Sequence, residues 1–538
     1  MKRLLFCGIL FAFPVTYSLS AQSATIPSII NDVFWKTTSG SFIYSQGGGI
    51  FRFPDAQGKE HYYWYGVHYR GAETYLANPT GKVEGTGFSS VTCYQSDDLV
   101  NWEFVGDVAT SSSLGRAFWV GRLGVAYITE AKLYALLVQY NSSVLICTCS
   151  TPTGEFKRHN QIDMTNLIGT PNTGDQTVFT DPDTGKSYLV YSYGKGRNKV
   201  YLSEIGYRDE KVTLLDCHQI YQGSGREGNC MFKYKKKYYM CASDLYGWNA
   251  SNVYYLEASD IYGPYTPTNN MALMPGAADD YGHVTQTGFF YTVRGTKEET
   301  VIYCGDRWAD FAGNGIGYNQ WCPISFENGT PTFNSLSHWH LNAETGEWRV
   351  GSTNNYVKNG SFEADRVTIP SGNKPVQDFL RGWITIVKKG NKVAVGSENS
   401  PKLNADNTAE DRQIVIGNKC LNISDKVPFI RQVYQKIAST PCVPIIDGTY
   451  TLKMKVKSSS QFSQLYVYAK SAGKTFKKDI HESDSKWHEL TLEGIIVKKG
   501  GVEVGIMADA PAHAWCHIDD LELARNDNHS DRIPHNMM

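Results

Sequence analysis

Short, largely apolar segments dense in tyrosine and β-branched side chains, set off by polar turns, recur along the first two thirds of the chain. They read "HYYWYGVHY" from His61, "KLYALLVQY" from Lys132, "KSYLVYSYG" from Lys186, "KYYMCASDL" from Lys237 and "TVIYCGDRW" from Thr300. Short runs of these residue types predict strands, because aromatic and β-branched side chains pack well on a pleated surface. Turn chemistry precedes several of them: "PDAQGKE", "DPDTGKS" and "RGTKEE" supply the Gly, Asp and Pro of tight hairpins. A second echo follows, as "CYQSDDLVNWEFVG", "CTCSTPTGEFKRH" and "LEASDIYGPYTPT". A repeat of roughly 50 to 70 residues suits one four-stranded blade with insertions. No long stretch carries the 3.6-residue period of a helix. The predicted fold over residues 25–350 is therefore all-β, a five-bladed β-propeller.

From Asn359 the text changes to "NGSFE", "GTYTLKMKVKS", "KWHELTLEG", "VEVGIMA" and "CHIDDLELA". Between Thr449 and Lys457 the alternation puts Tyr450, Leu452, Met454 and Val456 on one face. Such strands predict a second all-β unit, a β-sandwich of jelly-roll type over residues 355–526, and then a polar tail over 527–538. "WCHIDDLELA" is its expected closing strand, and Trp383 and Trp487 are expected in its core.

Composition narrows the functions open to such a chain. Lysine and arginine number 52 against 53 aspartates and glutamates, and the Lys run 235–237 reads as a hairpin turn, so a nucleic-acid partner is not expected. Lys2 and Arg3 precede "LLFCGILFAF" and the small residues of "SLSAQSA", which predicts a signal peptide over 1–21 and export to the periplasm or the exterior. No later apolar run reaches the ~18 residues of a membrane span. Setting Cys7 aside with the signal, eleven of the 12 cysteines remain, scattered and without CxxC or HExxH spacing. They predict mostly buried thiols with room for one or two disulfides. Nothing in the sequence sets an oligomeric state.

One stretch singles itself out for chemistry. "GSGREGNCMF", from Gly223, holds a single carboxylate, Glu227, just ahead of an aromatic hairpin. Taken alone, Glu227 reads equally as a carboxylate at a strand start, and Asp175 as a turn residue. Trp64 belongs to an alternating strand and so to the core, whereas Trp248 and Trp308 follow strand ends and suit stacking on a sugar ring. Asp306 and Arg307 fit either hydroxyl binding or a buried ion pair between blades.

The motifs "GDQTVFTDPDTGKSYLVYS" at Gly174, "GREGNCMFKYKKKYYMCASDLYGW" at Gly225 and "SDDLVNW" at Ser96 resemble those of glycoside hydrolase family 43. The resemblance implies an inverting hydrolase in which Glu227 is the general acid and Asp175 tunes it. Inversion places the acid and base about 6.5–9.5 Å apart. The family's base aspartate has no counterpart in "IYSQGGGIFRF", where Gly47 and Gly48 stand instead. "HVTQTGFF" and "GDRWADFAGNGIGYNQWCPISF" resemble the exo-β-1,3-galactanase branch, in which a glutamine takes the base role through its imidic-acid form; Gln286 is the matching residue. The same resemblance makes Gln46 and Arg122 substrate contacts, beside Trp248, Asp306, Arg307 and Trp308, whose positions suit that role. The branch's Glu ahead of Arg122 is Gly121 here, Leu123 and Gly124 replace the two residues after it, and Gln46 replaces a histidine.

The text after Asn359 resembles carbohydrate-binding modules, which implies a structural calcium held by Glu363 and Asp520. No cofactor is implied for catalysis, and the implied partner is a plant polysaccharide or oligosaccharide. Two alternatives stand beside the galactanase reading: an α-L-arabinofuranosidase or β-xylosidase of the same family, and a glycan-binding propeller without turnover.

Overall fold

The computed structural model describes residues 27–79, 87–115, 120–141, 143–246, 252–307, 317–365, 380–394, 398–459, 461–481 and 485–526. The predicted signal peptide and tail lie outside them. Among the described residues, five antiparallel sheets follow one another in chain order. Their first strands are Gln46–Pro54, Val120–Ile128, Thr173–Thr180, Arg226–Tyr234 and Gln286–Arg294. The tyrosine-rich segments that betray the repeat are the second strands, Glu60–Tyr69, Leu133–Tyr140, Ser187–Tyr193, Lys237–Asp244 and Glu299–Asp306. These are buried on both faces, which is why apolar and aromatic residues fill nearly every position of Leu133–Tyr140.

Each first strand packs beside the first strand of the next sheet, and Gln286–Arg294 returns to pack beside Gln46–Pro54. The chain's early strand Ser28–Ile30 does the same service further out, pairing with His338–Leu341 across most of the sequence. Between the first and fifth sheets lies a tryptophan core: Trp64, Trp102, Trp321 and Trp339 are all fully buried, with Trp64 and Trp321 4.9 Å apart. Trp64 is therefore core, as its alternating strand suggests.

A local irregularity repeats with the sheets. The pairing of every first strand slips near its start: between Gln46 and Gly49, Val120 and Leu123, Thr173 and Gln176, Glu227 and Cys230, and Thr287 and Phe289. A bulge bends a strand and re-aims the side chains around it. Glycine makes these bulges possible where backbones crowd. A Cβ on Gly48 would lie 1.7 Å from the Tyr65 carbonyl oxygen, and Gly228 combines a φ of +58° with a Cβ position 2.3 Å from the Thr287 carbonyl.

Two five-stranded sheets make up the second half. Trp515–Arg525, the strand expected to close the unit, runs through the interior of its sheet between Lys419–Ser424 and Gly448–Ser458. Tyr450, Leu452, Met454 and Val456 are buried as their alternation predicts, and Trp383 and Trp487 are buried too. All eleven described cysteines are free thiols, so the room left for disulfides is unused among them. No helix among the described residues is long and apolar enough to cross a membrane.

Gly48→Ala should force the Tyr65 backbone aside and lower stability by about 3 kcal/mol, measured by urea unfolding.

Candidate active site

The five bulges bring residues from separate sheets to one place. Glu227 and Asp175 do not precede the inner strands, as the sequence suggests, but lie in them, at the bulges of Arg226–Tyr234 and Thr173–Thr180. Arg122 sits in the bulge of Val120–Ile128. Gln286 and Asp306 face each other as direct partners on the first hairpin of the fifth sheet, so their side chains project to the same side.

Arg122 is the hub. Its buried guanidinium donates from Nε to Asp175 Oδ2 at 3.1 Å, from Nη1 to Asp306 Oδ2 at 3.0 Å and from Nη2 to Gln286 Oε1 at 2.7 Å. The two carboxylates then diverge. Burial pushes Asp175 up, but Arg122, Arg197 and the Gly228 amide (2.8 Å from Oδ2) outweigh it and hold the group below its ordinary range. Burial also pushes Asp306 up; there Arg122 and the Gly47 amide, 3.0 Å from Oδ1, offset it only in part. The bond from Gly47 places an Asp306 oxygen at the glycine bulge of the first sheet. A carboxylate from the fifth sheet thus reaches the place where the first sheet carries none, and Gly48 itself leaves no space for one.

Glu227 is buried, and Gln286 and Arg197 touch its carboxylate. Gln286 donates from Nε2 to Oε2 at 3.3 Å, and Arg197 donates from Nη1 to Oε1. Glu227 and Gln286 are therefore in contact here, not held apart by the width of a water and a sugar. Arg122 on Oε1 and Glu227 on Nε2 together favour the amide form of Gln286, because an imidic acid would turn an O–H toward a guanidinium that accepts nothing.

Arg197 is the residue that sequence reasoning missed. It sits in the turn "KGRNK", where charged residues read as a solvated loop. Only its distance from Asp175, one hairpin away, would have hinted at the site.

The remaining sequence candidates divide. Gln46 is buried and donates from Nε2 to the Arg307 carbonyl at 2.6 Å, so it joins the first and fifth sheets. Asp306 and Arg307 each join the fifth sheet to another element through an ion pair, one of the two readings their positions leave open. Asp306 faces Arg122, and Arg307 pairs with Asp32 at 2.7 Å beneath Tyr318. Trp248 and Trp308 lie outside the described residues.

The expected calcium pair needs a correction. Asp520 has a left-handed φ of 52° and turns its carboxylate to Lys455 at 3.4 Å and the Ile416 amide at 3.2 Å. Its neighbour Asp519, fully buried, is the carboxylate whose pKa Glu363 helps to raise, after burial and Asp520. Next to Asp519, Asn407 Nδ2 lies within 3.0 Å of Asp519 Oδ2 and the Lys419 carbonyl and 3.4 Å from the Gly417 carbonyl. These oxygens already accept from the Asn407 amide, and among the described residues no group of three or more His, Cys, Asp or Glu side chains is placed to hold a metal ion, so the set does not fit calcium.

Residues 59–312 match the family model described as Glycosyl hydrolases family 43, a span that includes Arg122, Asp175, Glu227, Gln286 and Asp306. No curated protein matches the chain. Among solved structures it is similar to the exo-β-1,3-galactanase of Phanerochaete chrysosporium, solved with β-1,3-galactotriose. That likeness has 18% identity and a TM-score of 0.50 over 91% of this chain and 100% of that one. It is also similar to the exo-β-1,3-galactanase of Clostridium thermocellum, at 18% identity and a TM-score of 0.52 over 93% of this chain and 100% of that one. At such identities the likeness is one of fold.

Arg122→Ala leaves two buried carboxylates without their shared counter-charge and should lower stability by about 3–5 kcal/mol in denaturant titrations. Asp175 makes a second prediction. Its pKa is lowered on folding, so its contribution to stability is present above the unfolded value and lost as pH falls through the folded one. Asp175→Asn should therefore shrink the drop in Tm between about pH 6 and about pH 3, followed by calorimetry.

Proposed function

Residues 59–312 belong to glycosyl hydrolases family 43, and on that premise we propose that the chain is an exported, exo-acting hydrolase of β-1,3-galactan or arabinogalactan-type plant polysaccharide. It removes a terminal galactose or a related sugar with inversion. In this reading the five sheets are the blades of a propeller over residues 25–350, and residues 355–526 form an appended sugar-binding sandwich.

One observation carries the reading: Glu227, Asp175 and Gln286 come from three sheets and converge, with Arg122 binding the last two. Glu227 gives its proton to the leaving glycosidic oxygen as the C1–O bond breaks. A water on the opposite face of the ring forms the new C1–O bond and passes its proton to the group in the base role, Gln286 in its imidic-acid form. Asp175, held ionised by Arg122 and Arg197, keeps negative charge beside the acid and so favours its protonated state. Gln286 receives Arg122 on its carbonyl and is the group placed to orient the water, and entry of the sugar separates it from Glu227. The base role that the glutamine carries in the galactanase branch requires it to exchange the Arg122 bond first. The choice of β-1,3-galactan follows the two similar structures, and the crowding at Gly48 argues against the arabinofuranosidase or xylosidase arrangement with a first-blade aspartate.

A second reading has a specific observation of its own. Arg197 lies on the Glu227 carboxylate, and a guanidinium there favours the ionised form, the opposite of what a general acid needs. That arrangement suits a pocket that binds glycan without cleaving it.

Incubation with β-1,3-galactotriose and with arabinogalactan should release monosaccharide of inverted anomeric configuration, read by NMR. Glu227→Gln should lower kcat by about 10²- to 10⁴-fold on a substrate with a poor leaving group. Full activity in that variant removes Glu227 from the acid role. Binding without release by the wild type establishes the non-catalytic reading.

A further inference from the structure

Arg197 enters the hydrolysis just described only by helping to hold Asp175 ionised, and its position gives it a further part. It projects from the turn between Ser187–Tyr193 and Lys199–Arg208 with a left-handed φ of 51°. Its backbone carbonyl accepts the Arg226 amide at 2.9 Å, and its side-chain stem lies over the Gly174 bulge, where a Cβ would come within 3.1 Å of Cγ and Cδ. The guanidinium is thus held over the acid, with Nη1 on Glu227 Oε1 and 3.7 Å from Asp175 Oδ1. Its side chain is 28% exposed against 8% for Glu227, so it stands on the solvent side of the acid.

The other cations of the site have settled partners. Arg122 is shared between Asp175 and Asp306, and Arg226 pairs with Asp244 at 2.7 Å with its guanidinium over Tyr254. Arg197 relies on Glu227, the one group that hydrolysis requires to be neutral. When Glu227 is protonated, Arg197 keeps only a distant share of Asp175. The same turn adds Lys195, exposed, and Lys199, over Tyr193, and neither has an ion-pair partner among the described residues.

The group that protonates a glycosidic oxygen lies beside the leaving sugar, so a cation on its outer edge lies against that sugar too. A half-buried guanidinium losing its carboxylate there is matched by a carboxylate on the substrate, bound through two parallel hydrogen bonds. We propose that Arg197 binds the carboxylate of a hexuronic acid residue on the leaving-group side, and that the site selects acidic glycans. The inference rests on Glu227 being the acid. It also explains how an acid paired with arginine works: the substrate carboxylate takes Arg197 over and frees Glu227 to carry its proton.

The test uses the full chain and two disaccharides, a galactosyl-hexuronic acid and its carboxyl-reduced counterpart. The wild type should favour the acidic disaccharide by about tenfold or more in kcat/KM, chiefly through KM. Arg197→Ala and the near-isosteric Arg197→Gln should bring that ratio to about one, whereas Arg197→Lys should keep part of it. Calorimetry on Glu227→Gln supplies a readout that needs no turnover. With the competing carboxylate gone, this variant should bind the acidic disaccharide more tightly than the wild type does, and adding Arg197→Ala should abolish the gain. Equal use of the two sugars by the wild type, or a preference that survives Arg197→Ala, overturns the proposal. If neither sugar is cleaved, the hydrolase reading fails, and the calorimetric preference alone decides the role of Arg197.

Discussion

A single buried guanidinium bears the electrostatic load of this molecule's centre. Arg122 comes from the second sheet, Asp175 from the third, and Gln286 and Asp306 from the fifth, and its three nitrogens reach all of them. Two carboxylates so close would otherwise force one to take up a proton, and both are far from bulk water. The arginine does not neutralise them equally. Asp175 also receives the Gly228 amide and Arg197, while Asp306 receives the Gly47 amide and remains raised. One cation thus supports two carboxylates with different proton affinities in the same crowded space, which is the asymmetry that acid–base chemistry exploits.

Backbone geometry makes this meeting possible. A regular strand would send alternate side chains into the packing between sheets, where Arg122 or Glu227 would be ruinous. The bulge at the start of each first strand turns one residue out of that alternation and toward the shared centre. In the first sheet the same bulge is all glycine and contributes backbone only, so its amide binds a carboxylate lent by the fifth. The site is assembled by one irregularity used in every sheet and filled differently in each.

Much of this was legible in the sequence and the rest was not, for identifiable reasons. Tyrosine-rich second strands announced the repeat because they are buried on both faces, and Tyr450 to Val456 announced a half-buried sheet by clean alternation. Glu227, Asp175, Gln286 and Arg122 were legible through motif, and the structure brings them together. Arg197 was not, because a basic turn residue looks the same whether it meets solvent or a buried carboxylate. Asp520 was paired with Glu363 through the resemblance to carbohydrate-binding modules, and no motif shows that a φ of 52° turns its carboxylate to Lys455 and the Ile416 amide. For Asp306 and Arg307 the sequence left hydroxyl binding and a buried ion pair between blades open, and it could not name the partners, Arg122 and Asp32, because they lie far off in the chain.

The pairing of Ser28–Ile30 with His338–Leu341 has a consequence for how the chain reaches this form. Asp32, just past that early strand, also binds Arg307, Gln320 and the Tyr281 hydroxyl. Each of the five sheets forms from consecutive hairpins and has local contacts, but this seam joins residues separated by some three hundred others. Closing so long a loop comes at an entropic cost that only contacts made afterwards recover, so it belongs to the slow end of folding. Until it closes, the tryptophan core between the first and fifth sheets stays open. The chain's earliest residues thus wait for some of its later ones, and the intermediate most exposed to misassociation is a nearly complete molecule with an unsealed edge.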